Sequence, residues 1–153
     1  MCFHEIFLMG IRYENILLYN LELLLSKDYI RTYTSHITEP YLLTRLLTDE
    51  EMQSFDAVFV SGGNCSVLCR EMARTGFDIV LKRAINNGLT YVGISAGSMY
   101  AAGNLTESLH IIDNPVVPHW TEAQSAVTPY SKDAIKLTDG QAVYIEGQNI
   151  CLL

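Results

Sequence analysis

Short, wholly apolar runs alternate along this chain with longer stretches whose apolar residues recur every three or four positions. Ala57-Val58-Phe59-Val60 is the clearest run, bounded by Asp56 and by Ser61-Gly62-Gly63-Asn64. A run that short, apolar at every position, predicts a strand buried on both faces. Residues 65–75 follow with Val67, Leu68 and Met72 at helical spacing and stop at Gly76. Residues 77–87 predict a second helix with Ile79, Val80, Ala84 and Ile85 inward, closed by Asn87-Gly88. Leu89 to Ile94 is another buried run, and residues 96–102 read as a third helix. Strand, helix, helix, strand, helix predicts an α/β fold with a mostly parallel central sheet flanked by helices.

The flanking regions carry weaker patterns. Leu17, Leu18, Leu21, Leu24 and Leu25 predict an amphipathic helix over 11–26. Residues 29–38 alternate loosely, as an exposed strand would. Pro40 opens a short helical stretch to about Leu47, and Thr48-Asp49-Glu50-Glu51 reads as a capped turn. Near the end, Ile135-Lys136-Leu137, Ala142-Val143-Tyr144-Ile145 and Asn149 to Leu153 predict short antiparallel strands, with turns at Asp139-Gly140 and Glu146-Gly147. No repeat or linker divides residues 1–153, which read as a single domain.

Composition narrows the partners. The net charge of −7 argues against nucleic acid and anionic membrane. The cysteines, Cys2, Cys65, Cys69 and Cys151, form no metal-binding pair of the C-x-x-C kind and read as small buried or half-buried thiols. No leader pattern opens the chain, and the apolar-rich run Ile16 to Leu25 is broken by Asn20 and Glu22. The expectation is a cytoplasmic protein, with a homodimer left open.

The chemistry centres on Gly93-Ile94-Ser95-Ala96-Gly97. This G-x-S-x-G lies directly after a buried strand and directly before a helix, the setting of a nucleophile elbow. The tight turn strains the backbone, so small neighbours are needed, and the helix N-terminus offers N–H groups to a developing negative charge. The bland alternative is a helix-capping serine in an ordinary turn. A serine nucleophile needs a base. His119, in Val116-Val117-Pro118-His119-Trp120, is aimed by a rigid loop because Pro118 holds Val117 extended; His110 is the rival. Histidine, with an ordinary pKa near ~6.5, suits proton transfer at neutral pH. For the orienting carboxylate, Glu122, Asp133, Asp139 and Glu146 stay open, with Asp139 favoured by its turn position. Gly62-Gly63-Asn64 ends the other buried strand, so its N–H groups can join that of Ala96 in an oxyanion hole. Both glycine-rich turns fall at strand carboxyl ends, where such sheets bind ligands.

Strand-GGN, a helix pair, strand-GxSAGS, a Pro-His element and L-T-D-G-Q-A, in that order, resemble the S51 serine peptidases, which include dipeptidase E and cyanophycinase. The resemblance covers about Phe55 to Gly147, and residues 1–54 match poorly. It implies a class I glutamine amidotransferase-like fold and cleavage of small peptides after an N-terminal acidic residue, through an acyl-enzyme. It implies Ser95 as nucleophile, His119 as general base and acid, and Asp139 as the orienting acid. Gly63 and Ala96 would supply oxyanion N–H groups, Gly62 and Asn64 would face the substrate, and no metal or organic cofactor would be needed. The stretch from Ser95 to His119 spans 24 positions, shorter than is usual in the family. That shortening motivates a second reading, a non-catalytic member that binds a ligand or partner. A glutamine amidotransferase-like module would need cysteine where this chain has Ser95.

Overall fold

A computed structural model describes residues 16–19, 39–40, 47–125 and 131–153. Among the described residues, four parallel strands form the central sheet, in the order β2-β1-β3-β4. They are β1 (Ile16–Tyr19), β2 (Glu39–Pro40), β3 (Ala57–Val60) and β4 (Thr90–Gly93). Helices α1 (Asp49–Gln53), α2 (Cys65–Thr75), α3 (Phe77–Asn86) and α4 (Ala96–Ala101) accompany the sheet among the described residues.

The local reasons are those the pattern implies. Thr48 and Glu51 form a reciprocal capping box at the start of α1. Asn64 Oδ1 caps α2 by accepting from the Val67 N–H. Gly76, at φ 71°, ends α2 in the left-handed conformation that glycine adopts most cheaply. Val58, Val60, Met72, Phe77, Leu81 and Tyr100 lie at the centre of the main core.

Three expectations need correction. Ile16–Tyr19 is a strand rather than part of a helix over 11–26. It pairs with β3 on one side and β2 on the other, and so short an apolar run carries no period that separates a strand from a helix. Pro40 itself lies in β2, on the outer strand where a missing N–H is tolerated, and the helical stretch expected after it falls largely outside the described residues. The proposed strand over 29–38 falls outside the described residues. Ile79 is 61% exposed. At about 100° per residue the buried stripe of α3 runs through Phe77, Val80, Leu81 and Ala84, and Ile79 falls opposite it.

Among the described residues, the C-terminal part holds two further ladders. β5 (Val116–Val117) pairs in parallel with β6 (Ile135–Lys136), whereas β7 (Val143–Glu146) and β8 (Asn149–Leu152) form the expected antiparallel hairpin. A short helix, α5 (Glu122–Ser125), follows β5. A small second core of Ala102, Val116 and Leu137 joins the end of α4 to β5 and β6. Among the described residues, no helix is long and apolar enough to cross a membrane.

Candidate active site

β3 and β4 end in register, with Val60 opposite Gly93 and the Ile94 N–H donating to the Val60 carbonyl at 3.0 Å. The two glycine-rich turns therefore begin at one level and lie side by side. A Cβ built on Gly62 would stand 3.3 Å from Ser95 Cβ and 3.7 Å from its Oγ. Ser95 itself has φ 51° and ψ −111°, outside the regions an ordinary serine occupies. Among the described residues, three non-glycine positions have positive φ: Ser95, His110 and His119. Such conformations cost of order ~1–3 kcal/mol each and gather at functional sites.

The flanking glycines are demanded by close approach. A Cβ on Gly93 would come within 2.6 Å of the Gly97 carbonyl carbon. A Cβ on Gly97 would overlap the Val60 carbonyl oxygen. With both positions bare, the first turn of α4 settles against the end of β3 and Ser95 is left at the bend. Tyr91, on β4, donates its hydroxyl proton to the Gly97 carbonyl at 2.7 Å and so fastens that turn from below. Burial pushes Tyr91 well above the usual tyrosine range, which keeps it a neutral donor. Nothing in the pattern of strand residues marks Tyr91 for this task. Ala96 opens α4, so its N–H has no partner within the helix. Gly63, at φ 133°, lies in the neighbouring turn.

His119 and Asp139 meet through the parallel ladder. The Leu137 N–H donates to the Val117 carbonyl at 3.0 Å and the Trp120 N–H to the Leu137 carbonyl at 2.8 Å. The residues that leave β5 and β6 thus run on together. His119 Nδ1 lies 2.6 Å from Asp139 Oδ1. A carboxylate only accepts, so Nδ1 carries a proton, and in the neutral ring Nε2 then keeps its lone pair, a tautomer assigned from the bond. The pair is open to water, at 62% and 64% side-chain exposure, so it orients the ring more than it stabilises the fold. Lys136 Nζ sits 4.3 Å above the Trp120 ring and ties the same two segments together.

Of the other candidates, His110 turns its Nε2 to the Thr106 carbonyl at 3.3 Å. Glu146 lies exposed on the hairpin, and the Asp133 carbonyl accepts from Asn114 Nδ2. Asn64 spends its Oδ1 on the α2 cap. Among the described residues, no hydrogen bond joins Ser95 Oγ to His119; the histidine is held by its acid. Nucleophile–base bonds are often long in unliganded sites and tighten around substrate.

The thiols near the elbow are poorly placed to compete with the serine. Cys65 Sγ lies 3.8 Å from the Ala96 carbonyl, and burial, with Cys69 close by, pushes its pKa up to about 12. At pH 8 its thiolate fraction is then about one in ten thousand. Iodoacetamide at pH 8 is therefore expected to modify exposed Cys151 well before Cys65, as peptide mapping over time would reveal. Equal rates at the two cysteines would contradict that order.

The fold and the site define a class: a parallel α/β protein with a strained serine at the carboxyl edge of its sheet and a histidine–carboxylate pair in the C-terminal part. The chain belongs to peptidase family S51, whose family model matches residues 34–153. That match begins before the stretch from Phe55 and runs past Gly147. An uncharacterized peptidase of Listeria monocytogenes is 24% identical over 125 residues, covering 65% of this chain and 61% of the relative. An uncharacterized peptidase of Pasteurella multocida is 30% identical over 105 residues, covering 54% and 51%. Peptidase E of Streptomyces coelicolor is 44% identical over 62 residues, covering 39% and 26%. The matched stretches thus span between about a quarter and three fifths of the length of these relatives. In fold it is similar to a crystal structure described as a candidate Peptidase E from Listeria monocytogenes EGD-e. The TM-score is 0.70 at 21% identity, over 92% of this chain and 85% of that one.

Proposed function

We propose that this chain is a serine peptidase that cleaves small peptides with an acidic N-terminal residue. The observation that carries the reading is the pairing of a strained Ser95, at φ 51° after β4, with a His119 held 2.6 Å from Asp139. Ser95 Oγ attacks the scissile carbonyl carbon as His119 Nε2 takes its proton. Asp139 holds the imidazole in that tautomer and faces the positive charge that forms. The N–H groups of Gly63 and Ala96 receive the oxyanion. Collapse of the tetrahedral species breaks the C–N bond, His119 returns the proton to the leaving amine, and the acyl group stays on Ser95. Water, deprotonated by His119, then releases the acid. Gly62 and Asn64 border the substrate. The preference for an acidic first residue rests on the likeness to the dipeptidase E group.

The test uses the native protein. A fluorophosphonate probe is expected to label it on the peptide that contains Ser95, and a panel of Asp-Xaa dipeptides is expected to include substrates. No labelling together with no cleavage across the panel would end the serine peptidase reading in favour of a binding module.

A further inference from the structure

We propose that Asn104 is a positioning residue, whose side-chain amide fixes the arm carrying His119 and Asp139 against the arm carrying Ser95. The proposal rests on the reading of Ser95 and His119 as nucleophile and base.

The argument begins with the outer edge of β5. That strand meets β6 through Pro115 and Val117, whose carbonyls accept from Ile135 and Leu137 at 2.8 and 3.0 Å. In a strand, successive residues turn their backbone groups to opposite sides, so the N–H and C=O of Val116 face away from β6. Val116 is 1% exposed. Backbone groups that deeply buried need partners inside the protein. The ladder has only two strands among the described residues, and Asn104 takes the place of a third. Its Nδ2 donates to the Val116 carbonyl at 2.9 Å, and its Oδ1 accepts from the Val116 N–H at 3.0 Å. A primary amide offers the same donor and acceptor as a strand residue. A carboxylate has no donor for the carbonyl.

The two ends of this clasp belong to different arms of the site. Asn104 stands three positions beyond the end of α4, the helix that Ser95 directly precedes, and Val116 stands three positions before His119. The Asn104 end is held firmly. Leu109 and Ile111 donate their N–H groups to the Tyr100 and Ala101 carbonyls at 2.8 and 3.0 Å, folding the following loop back onto α4. A Cβ on Gly103 would already stand 3.0 Å from the Asp113 carbonyl. The clasp therefore joins a rigid nucleophile arm to β5. Because β5 and β6 carry His119 and Asp139 together, loss of the clasp shifts that pair as a unit and leaves their mutual bond intact.

The test compares the intact chain with Asn104→Ala and Asn104→Asp. In Asn104→Ala the rate of fluorophosphonate labelling at Ser95 is expected to fall about 10- to 100-fold, the scale set by misplacement of roughly 1 Å. Amide exchange at Val116 is expected to speed up at least about tenfold, while Ile135 and Leu137 stay protected. The downfield Nδ1 proton signal of His119 is expected to persist. Asn104→Asp keeps the acceptor for the Val116 N–H, so it should hold that amide's protection and still label more slowly than wild type. Labelling of Asn104→Ala within threefold of wild type overturns the proposal. So does loss of protection at Ile135 and Leu137 together with Val116, which marks a merely structural role. If Asn104→Ala fails to fold, Asn104→Asp decides by the same labelling threshold. An unlabelled wild type overturns the peptidase reading itself, and the positioning role with it.

Discussion

Replacement of Ser95 by alanine is expected to abolish fluorophosphonate labelling and to lower turnover of an Asp-Xaa substrate by about 10⁶. In the proposed mechanism the Ser95 hydroxyl oxygen forms the acyl bond, and Cys65, pushed up to about 12, stays a thiol and does not replace it. Asp139→Asn is expected to cost about 10⁴ in kcat. An asparagine can offer its NH₂ to His119 Nδ1, which moves the ring proton to Nε2 and removes the lone pair that Ser95 needs. Neither change should unfold the protein. The His119–Asp139 pair is 62% and 64% exposed, and exposed pairs contribute only about 0–1 kcal/mol. Steady-state kinetics beside thermal melts check both statements, with Glu146→Gln as the variant expected to leave turnover unchanged. Asp139→Asn activity within tenfold of wild type would remove Asp139 from the triad.

Gly97→Ala is expected to destabilise the fold by about 3 kcal/mol or more and to eliminate the labelled form of Ser95. The added carbon would overlap the Val60 carbonyl oxygen and lie 2.8 Å from its carbon, both backbone atoms of a central strand. Relief requires lifting α4 from β3. That lift breaks the elbow, since the Gly97 carbonyl is also the acceptor for Tyr91. Gly76→Ala is the contrast. It too changes a glycine beside helices, but nothing lies within 4 Å of its would-be Cβ, and only the φ of 71° opposes it. Its expected cost is about 1–2 kcal/mol. Urea denaturation of the two variants measures the gap. Equal losses would mean that contact with Val60 is not what makes Gly97 necessary.

Much of the β3-to-α4 segment is legible locally. Ala57–Val60 is apolar at every position and closed by a glycine pair, and Gly76 stops α2 where a left-handed residue is needed. The elbow is legible for the same reason, because strand, G-x-S-x-G and helix are consecutive. Ile79 shows the limit of such reading. Its apolar character invites an inward place, yet the position of the α3 stripe depends on which face meets the sheet. Ile16–Tyr19 shows another: four apolar residues fit a helix or a strand until β2 and β3 pair with them. The C-terminal strands are legible as strands, and β7 and β8 as a hairpin, but not the partner of β6. Turns at 139–140 and 146–147 look alike in sequence, whereas β6 pairs in parallel with distant β5 and β7 pairs with adjacent β8.

The sequence by itself determined the strained serine between two strand-ending glycine turns, because steric limits on a tight strand-to-helix bend act among neighbouring residues. It also favoured His119 over His110, and Asp139 over Glu122, Asp133 and Glu146. Only the tertiary structure brings the two side chains together. The bond between His119 and Asp139 spans 20 positions and exists because β5 and β6 run parallel in one register. Tyr91 and Asn104 entered by the same route. Each is a polar side chain satisfying a backbone group brought close by packing, and such a partner leaves no periodic trace along the chain.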